Sequence, residues 1–493
     1  MSISQHFPVI VVILPLISAL LIPLAGRAKK INSWYISSAA TFLSLLISIS
    51  LLRTVLETGK ISYWLGNWEP PWGIEYVVDH LSAFVLVVIS FIIFIITLYS
   101  RNSVDKEIAE DKVIPFYSIC MLFVAGLLGM IVTGDIFNLY VFIEISSLAS
   151  YALIAVGRKR DALIASYNYL ILGTIAATFI LLGIGYLYMM TGTLNMADLR
   201  ERLPALYDTT VIRTAFAFFS VGLSIKIALF PLHIWLPNAY THAPSVIAAL
   251  QAATATKVGV YAMIRIMFTV FKPQFILEVV PVGSLFLLLS AVAIIAGSLL
   301  ALGQKDIRRM LAYSSIGQIG YIVMGIALAN RLSIIGSLIH ILNHALMKGG
   351  LFLVVGAVIY KTGITDIDDF KGLGKKMPFS MAAFTIGAFS MVGVPLTAGF
   401  VSKWYLALGA LQAGKWIMIP VILISSLLTA IYFWRVIDNI YFKGHEASGK
   451  VDDVPAGMLV PTFILASCCI IFGIIASIPV NITNFAAEML IGG

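Results

Sequence analysis

Apolar residues occupy this chain in long blocks separated by short polar connections. Val9 to Gly26 and Val279 to Gly303 hold no charged residue. Each is long enough to cross a bilayer as a helix, which takes roughly 17–25 residues. Fourteen spans are predicted, over residues 7–26, 34–54, 79–99, 113–133, 135–157, 164–190, 214–238, 243–270, 276–302, 309–329, 333–359, 379–412, 416–441 and 457–480. The connections are rich in Gly, Pro and charge, and none is long enough for a soluble domain. A membrane β-barrel would show short alternating segments instead. The pattern predicts an all-α polytopic membrane protein.

Composition agrees. The 493 residues are 60% hydrophobic and 11% charged, with mean hydropathy +0.99, where a soluble domain carries about 25% charged residues. In such a chain the placement of charge says more than the net value of +8. That excess gives no reason to expect nucleic acid as a partner. Of the 32 Lys and Arg, 18 fall in the odd-numbered connections and 8 in the even ones. The positive-inside rule then puts the odd connections in the cytoplasm and both termini outside. The run Gly26-Arg27-Ala28 leads straight into basic residues, so the first span reads as retained and not as a signal peptide. Cys120, Cys468 and Cys469 all lie in apolar runs, with no metal-binding or disulfide spacing.

The remaining basic residues lie within spans: Lys226, Lys257, Arg265, Lys348, Lys403 and Arg435. Arg435 is near a helix end and can snorkel. Arg265 is intermediate. The four lysines are deeper, where an ionisable group costs at least about 2.5–3.5 kcal/mol. Two carboxylates lie in the fifth span, in "GDIFNLYVFIEISS". Nine residues separate Asp135 from Glu144, about half a turn out of phase, so they do not share a face. Asp135 reads either as an N-cap or as a functional acid. Glu144, at mid-helix, needs a cation or a proton. Lys226 is its first candidate partner. Gln251, Thr254 and Thr256 extend the polar interior around Lys257.

Two spans look interrupted. The seventh carries Pro231 and Pro237 after Lys226, and the twelfth carries Pro395 in "GVPLTAGFVSKWY". Proline inside a helix removes a backbone bond, and freed carbonyls at membrane depth need protein or water around them. Aligning Pro231-Leu232 with Pro395-Leu396 predicts an inverted repeat of spans 4–8 and 9–13. Interrupted helices at matching places in two halves mark transport sites. The implied layout is a three-helix segment (1–112), two five-helix repeats (113–270 and 276–441) and a C-terminal helix (457–493).

One stripe concentrates the chemistry. In "IHILNHALMKGG", His340, His344 and Lys348 recur at i, i+4 and i+8, on one face of a helix. Two histidines on one face of one helix cannot sandwich a haem. A zinc helix of the HExxH type needs a glutamate where Ile341 stands. Two roles remain: hydrogen bonding across the bundle, and a proton relay. Histidine exchanges protons near neutral pH, and chains of such groups mark proton paths in pumps. No catalytic, redox, metal or nucleotide motif is present, and no cofactor is expected.

Together these segments resemble a known family. "GDIFNLYVFIEISSLASYAL", "KIALFPLHIWLPNAYTHAPSVIAALQAATATKVGVYAMIR", "LAYSSIGQIGY", "HILNHALMKGGLF" and "GVPLTAGFVSKWY" are similar to the antiporter-like subunits shared by Mrp-type cation/proton antiporters, respiratory complex I and membrane-bound hydrogenases. The resemblance covers nearly the whole chain. It implies fourteen helices, two inverted five-helix repeats, and broken seventh and twelfth helices. It also implies roles: Glu144 paired with Lys226, then Lys257, then the histidine region of His340 and His344, and Lys403 at the exit. A lysine at Lys403 resembles the Mrp D-type and complex I L- or N-type pattern. Complex I relatives often read "PDAH" after the broken helix; here "PNAYTHAP" puts Tyr240 in that place and His242 two residues on. The absence of a lateral helix beyond span fourteen favours the D-type.

The expected function is therefore translocation of protons, with or without Na+, by one subunit of a multisubunit complex in the cell membrane. Its partners would be other integral subunits, paralogous antiporter-like subunits among them, and the lipid bilayer. The expected relay is Glu144, Lys226, Lys257, His340, His344, Lys348 and Lys403, with Asp135, His233, His242 and Arg265 as secondary candidates. Lys348, directly before Gly349 and Gly350, belongs either to the central line or to a path toward one membrane face. Moving a charge against 100 mV costs about 2.3 kcal/mol, so an ion gradient or a redox partner must drive it. Two alternatives differ in kind: a proton-pumping subunit of a hydrogenase- or NADH-dehydrogenase-type complex, and an independent solute permease. A redox membrane subunit is a third.

Overall fold

The computed structural model describes residues 3–157, 160–280, 282–444 and 453–492. Arg158, Lys159 and Lys450, counted above among the odd-connection charges, lie outside them. The chain is almost entirely helical. Its main helices are α1 (Phe7–Gly26), α2 (Ile31–Thr58), α3 (His80–Glu107), α4 (Val113–Val132), α5 (Ile136–Ala155) and α6 (Arg160–Thr191). The seventh expected span is two helices, α7 (Thr210–Lys226) and α8 (Trp235–His242). Then come α9 (Ser245–Val270), α10 (Val282–Leu302), α11 (Ile307–Leu328) and α12 (Arg331–Thr362). The twelfth expected span is also two helices, α13 (Pro378–Val392) and α14 (Ala398–Gln412). The chain ends with α15 (Met418–Tyr441), α16 (Ala456–Ile474) and α17 (Ser477–Ile491). Among the described residues, twelve helices are long and apolar enough to cross a membrane.

Side-chain caps set many of the starts. Asp79 and Ser82 form a capping box at α3, Asn330 and Ser333 another at α12. Asp306 accepts from the Arg309 amide at 3.0 Å to start α11. Each cap satisfies amides that have no partner within the helix. The helices divide by environment. In α1, α2 and α6 most of the apolar surface faces outward, as lipid allows. In α12 every residue of the most apolar stretch is buried, and α9 and α11 come close to that. Helix α12 packs on α11, α13, α14, α16 and α3. The charged stripe thus runs through the most enclosed helix of the bundle.

The two interruptions are built alike. Each holds a non-glycine residue in the left-handed region, Ala228 (φ 57°) in the first and Leu396 (φ 71°) in the second. Such residues are held by surrounding structure at a cost of order 1–3 kcal/mol and gather at functional sites. Each interruption also hands freed carbonyls to a side-chain donor. Trp235 Nε1 donates to the Ile225 carbonyl at 2.9 Å. Lys403 Nζ donates to the carbonyls of Met391 (3.1 Å) and Val392 (2.8 Å).

Several expectations need correction. Pro231 and Pro395 lie in the interruptions, but Pro237 does not. It sits in the first turn of α8, where a missing amide costs nothing because first-turn amides have no intrahelical partner. The final span ends at Ile474, and α17 follows as a separate helix. A β-hairpin, β1 (Lys60–Trp64) with β2 (Glu75–Asp79), joins α2 to α3. A short helix, Met196–Arg202, lies between α6 and α7.

Candidate functional site

Helix α5 places Glu144 against the C-terminal end of α7. Lys226, the last residue of α7, reaches Glu144 Oε1 at 3.4 Å and donates to Ser147 Oγ at 2.7 Å. Glu144 and Ser147 are three residues apart and so share a helix face. Lysine Nζ is held by one charge and one hydroxyl. Beside them a cavity of about 30 Å3 is lined by Ser147, Ser150, Lys226, Met130, Gly259 and Ala262, among others. A water needs roughly 10–15 Å3, so the space suits about two.

On the far side of that cavity stands α9. Residues Gln251–Ala255 wind as a π-helix, a local loosening common at functional sites. It leaves the Ala252 carbonyl free for Lys257 Nζ, which donates to it and lies 3.4 Å from Thr256 Oγ1. Gln251 Nε2 donates to Ser150 Oγ at 2.7 Å, tying α9 to the serines of α5. Lys257 is 1% exposed, with no carboxylate beside it among the described residues.

Helix α12 carries the next members. His340 bonds Ser402 Oγ through Nδ1 at 2.8 Å and Gln318 Oε1 through Nε2 at 3.0 Å. His344 stacks beneath it with ring centroids 6.0 Å apart. Neither nitrogen of His344 has a hydrogen-bond partner among the described residues, although the ring is fully buried. Buried polar groups are normally paired, so this is a place for water or for an arriving proton carrier. Lys257 and Lys348 both lie within electrostatic reach of His344. Lys348 donates to the Leu311 carbonyl at 2.7 Å and to Ser314 Oγ. It is completely buried, so it stands in the enclosed interior of the bundle.

Lys403, on α14, closes the line. Besides the two carbonyls of α13 it donates to Ser426 Oγ at 2.9 Å, and its Nζ lies 5.2 Å from the centre of the Tyr321 ring. A cation at a helix C-terminus meets the negative end of the helix dipole. Tyr321 in turn lies 5.5 Å from His340, centroid to centroid. The structure therefore brings Glu144, Lys226, Lys257, His340, His344, Lys348 and Lys403 into the interior of one bundle.

The secondary candidates fall elsewhere. Asp135 caps α5, accepting from the Asn138 amide at 2.7 Å, so it has a structural task. His233 lies in the first interruption, stacked on Phe230 at 4.9 Å, and its Nδ1 is without a hydrogen-bond partner among the described residues. His242 ends α8, half-buried, within reach of Asp161, Asp306, Arg308 and Arg309. Arg265 pairs with Asp79 at 2.5 Å. Arg435 donates to the carbonyls of Leu302 (3.1 Å) and Gln304 at the end of α10, as a snorkelling side chain would. Sequence reading missed Asp79, Ser147, Gln318, Ser402 and Ser426. Only Asp79 gave a signal, as a lone acid directly before an apolar run.

Residues 133–429 match the family described as NADH:quinone oxidoreductase/Mrp antiporter, TM. The chain belongs to this family. It is 44% identical to NADH-quinone oxidoreductase subunit N of Desulforudis audaxviator (strain MP104C), over 96% of each chain. It is 34% identical to the Na(+)/H(+) antiporter D-type subunit of Alkalihalophilus pseudofirmus (strain ATCC BAA-2126 / JCM 17055 / OF4), over 90% of this chain and 88% of the relative. A subunit of the membrane-bound sulfane sulfur reductase, an archaeal respiratory membrane complex, superposes with a TM-score of 0.92 at 33% identity, over 98% of this chain and 97% of that one. A subunit of the Mrp complex from Dietzia sp. DQ12-45-1b shares the fold, with a TM-score of 0.90 at 24% identity over 99% and 98% of the two chains. As a member of this family the chain is a multi-pass membrane protein. Its structural neighbours are subunits of multisubunit membrane complexes.

Proposed function

We propose that this chain is the proton-translocating, antiporter-like subunit of a multisubunit complex in the cell membrane. The observation that carries the reading is the row of buried titratable side chains from Glu144–Lys226 through Lys257 and His340/His344 to Lys403, with Lys348 alongside. Buried charge is expensive and is kept where it works. In this reading Glu144 holds the Lys226 ammonium. When Glu144 is drawn away, the proton passes by way of the small cavity to Lys257, then to His344 and His340, and reaches Lys403. The two interrupted helices supply the movable ends, as counterparts in two inverted five-helix repeats, with both termini on the outer face. Protons, and Na+ in an antiporter, would be carried on behalf of neighbouring paralogous subunits. Replacing Glu144 and Lys226 singly by alanine in the intact complex tests this. Wild-type proton transport in both variants would sink the relay.

The similarity to the N-type relative supports a second reading, in which a redox module drives the same relay. Identifying the copurifying subunits separates the two, as does testing whether transport needs Na+.

A further inference from the structure

The proposed relay leaves one buried ion pair unused. Arg265 and Asp79 are 4% and 5% exposed. Arg265 Nη2 donates to Asp79 Oδ1 at 2.5 Å and to Ser82 Oγ at 2.7 Å. Its Nε donates to the Tyr261 hydroxyl at 2.8 Å, and that hydroxyl donates to the Ile131 carbonyl at 2.6 Å. Every polar group in this layer has a partner. On α9, Lys257, Tyr261 and Arg265 recur at i, i+4 and i+8, so they lie along one side of the helix, about 12 Å from end to end.

A cavity flanks the layer on each side. The small one beside Lys226 is lined by Met130 and Ala262, the chain neighbours of Ile131 and Tyr261. The other holds about 480 Å3 and is lined by Asp79 and Arg265 themselves, with Lys60, Glu75, Thr133 and Glu488. All the elements around it belong to the even connections, which the charge distribution puts on the outer face. A single layer of side chains thus separates outer water from the Lys226 compartment. Three of its members, Tyr261, Ser82 and Asp79, can pass a proton along. Arginine cannot, because its guanidinium stays protonated at any working pH.

We propose that Arg265 is a proton insulator, a non-titrating link that closes the outer cavity against the relay. The inference rests on the proton-translocation reading. It assigns Arg265 a task that a merely structural ion pair would not have, since lysine would keep the charge and the pairing but is able to release a proton.

The experiment measures passive collapse of an imposed pH gradient across liposomes holding the intact complex, with no driving substrate present. R265K should collapse the gradient several times faster than wild type. R265H, smaller and titratable, should do so faster still. The pair D79N/R265M, with neither charge nor proton carrier, should stay as tight as wild type. An assembled R265K or R265H complex that holds its gradient as wild type does would overturn the proposal. So would a D79N/R265M complex that leaks as fast as R265H, because the seal would then be packing alone. Driven transport in the Glu144 and Lys226 variants tests the wider reading, and the undriven leak can fail independently of it.

Discussion

Charge removal at the Glu144–Lys226 pair is the sharpest test of the relay. At 3.4 Å, with an effective dielectric near 20, two unit charges interact by about 5 kcal/mol. The Glu144 side chain is 26% exposed, so part of this is screened, and about 3 kcal/mol is a fair working value. That corresponds to roughly a hundredfold in rate if the pairing energy gates the proton. Glu144→Gln keeps the shape and removes the charge. Lys226→Met keeps the stem and removes the ammonium. Each should slow proton uptake into liposomes carrying the intact complex by about a hundredfold. The double variant should be no slower than either single, because a pair acting as one unit is lost only once. Additive losses in the double variant would mean that the two residues act separately. A wild-type rate in either single would remove the pair from the path.

Three further outcomes follow from geometry. Lys403→Met takes the donor from the Met391 and Val392 carbonyls, and each unsatisfied buried acceptor costs about 1–3 kcal/mol; the complex should melt at lower temperature, and a melt unchanged from wild type would count against this role. Gly399→Ala would place a Cβ 1.8 Å from the Ser390 carbonyl oxygen, so the second interruption must shift and the variant should accumulate poorly; normal yield and transport would show the contact to be slack. Burial alone would raise the Asp79 carboxyl, but the Arg265 charge and hydrogen bonds from Arg265 and Ser82 outweigh it and hold it below the usual carboxylate range. A depressed carboxyl stabilises the fold at neutral pH and loses that effect as pH falls below about 4, through its folded value. Thermal melts between neutral and acid pH should show this loss in wild type and a flatter profile in Asp79→Asn.

Much of this architecture was legible because membrane helices announce themselves by length. The block pattern gave the spans, and it survives in the structure because lipid leaves the backbone few alternatives to a helix. Glu144 with Lys226, and the His340–His344–Lys348 face, were also legible, since ionisable residues stand out in apolar text. Pairing by single hydroxyls was not. Ser147, Ser402 and Ser426 look like any small polar residue until the fold brings them within 3 Å of a charge or an imidazole. Pro237 misled because proline near an interruption reads the same whether it causes the break or merely starts the next helix. The Lys60–Trp64 and Glu75–Asp79 strands were hidden by brevity, being five residues each. The Arg265–Asp79 pair spans α3 to α9, and no local pattern announces a contact over that distance.

The enclosure of α12 has a consequence for how the bundle breathes. Helix Arg331–Thr362 runs for 32 residues, about 48 Å, with protein on all sides of its middle. Its amide hydrogens can meet water only when neighbouring helices part. Hydrogen exchange should therefore be slowest in α12 and should report opening of the whole bundle. Exchange in α1, α2 and α6 is set by local fraying instead. The helix that carries the histidines is also the clock by which the stability of the entire bundle can be read.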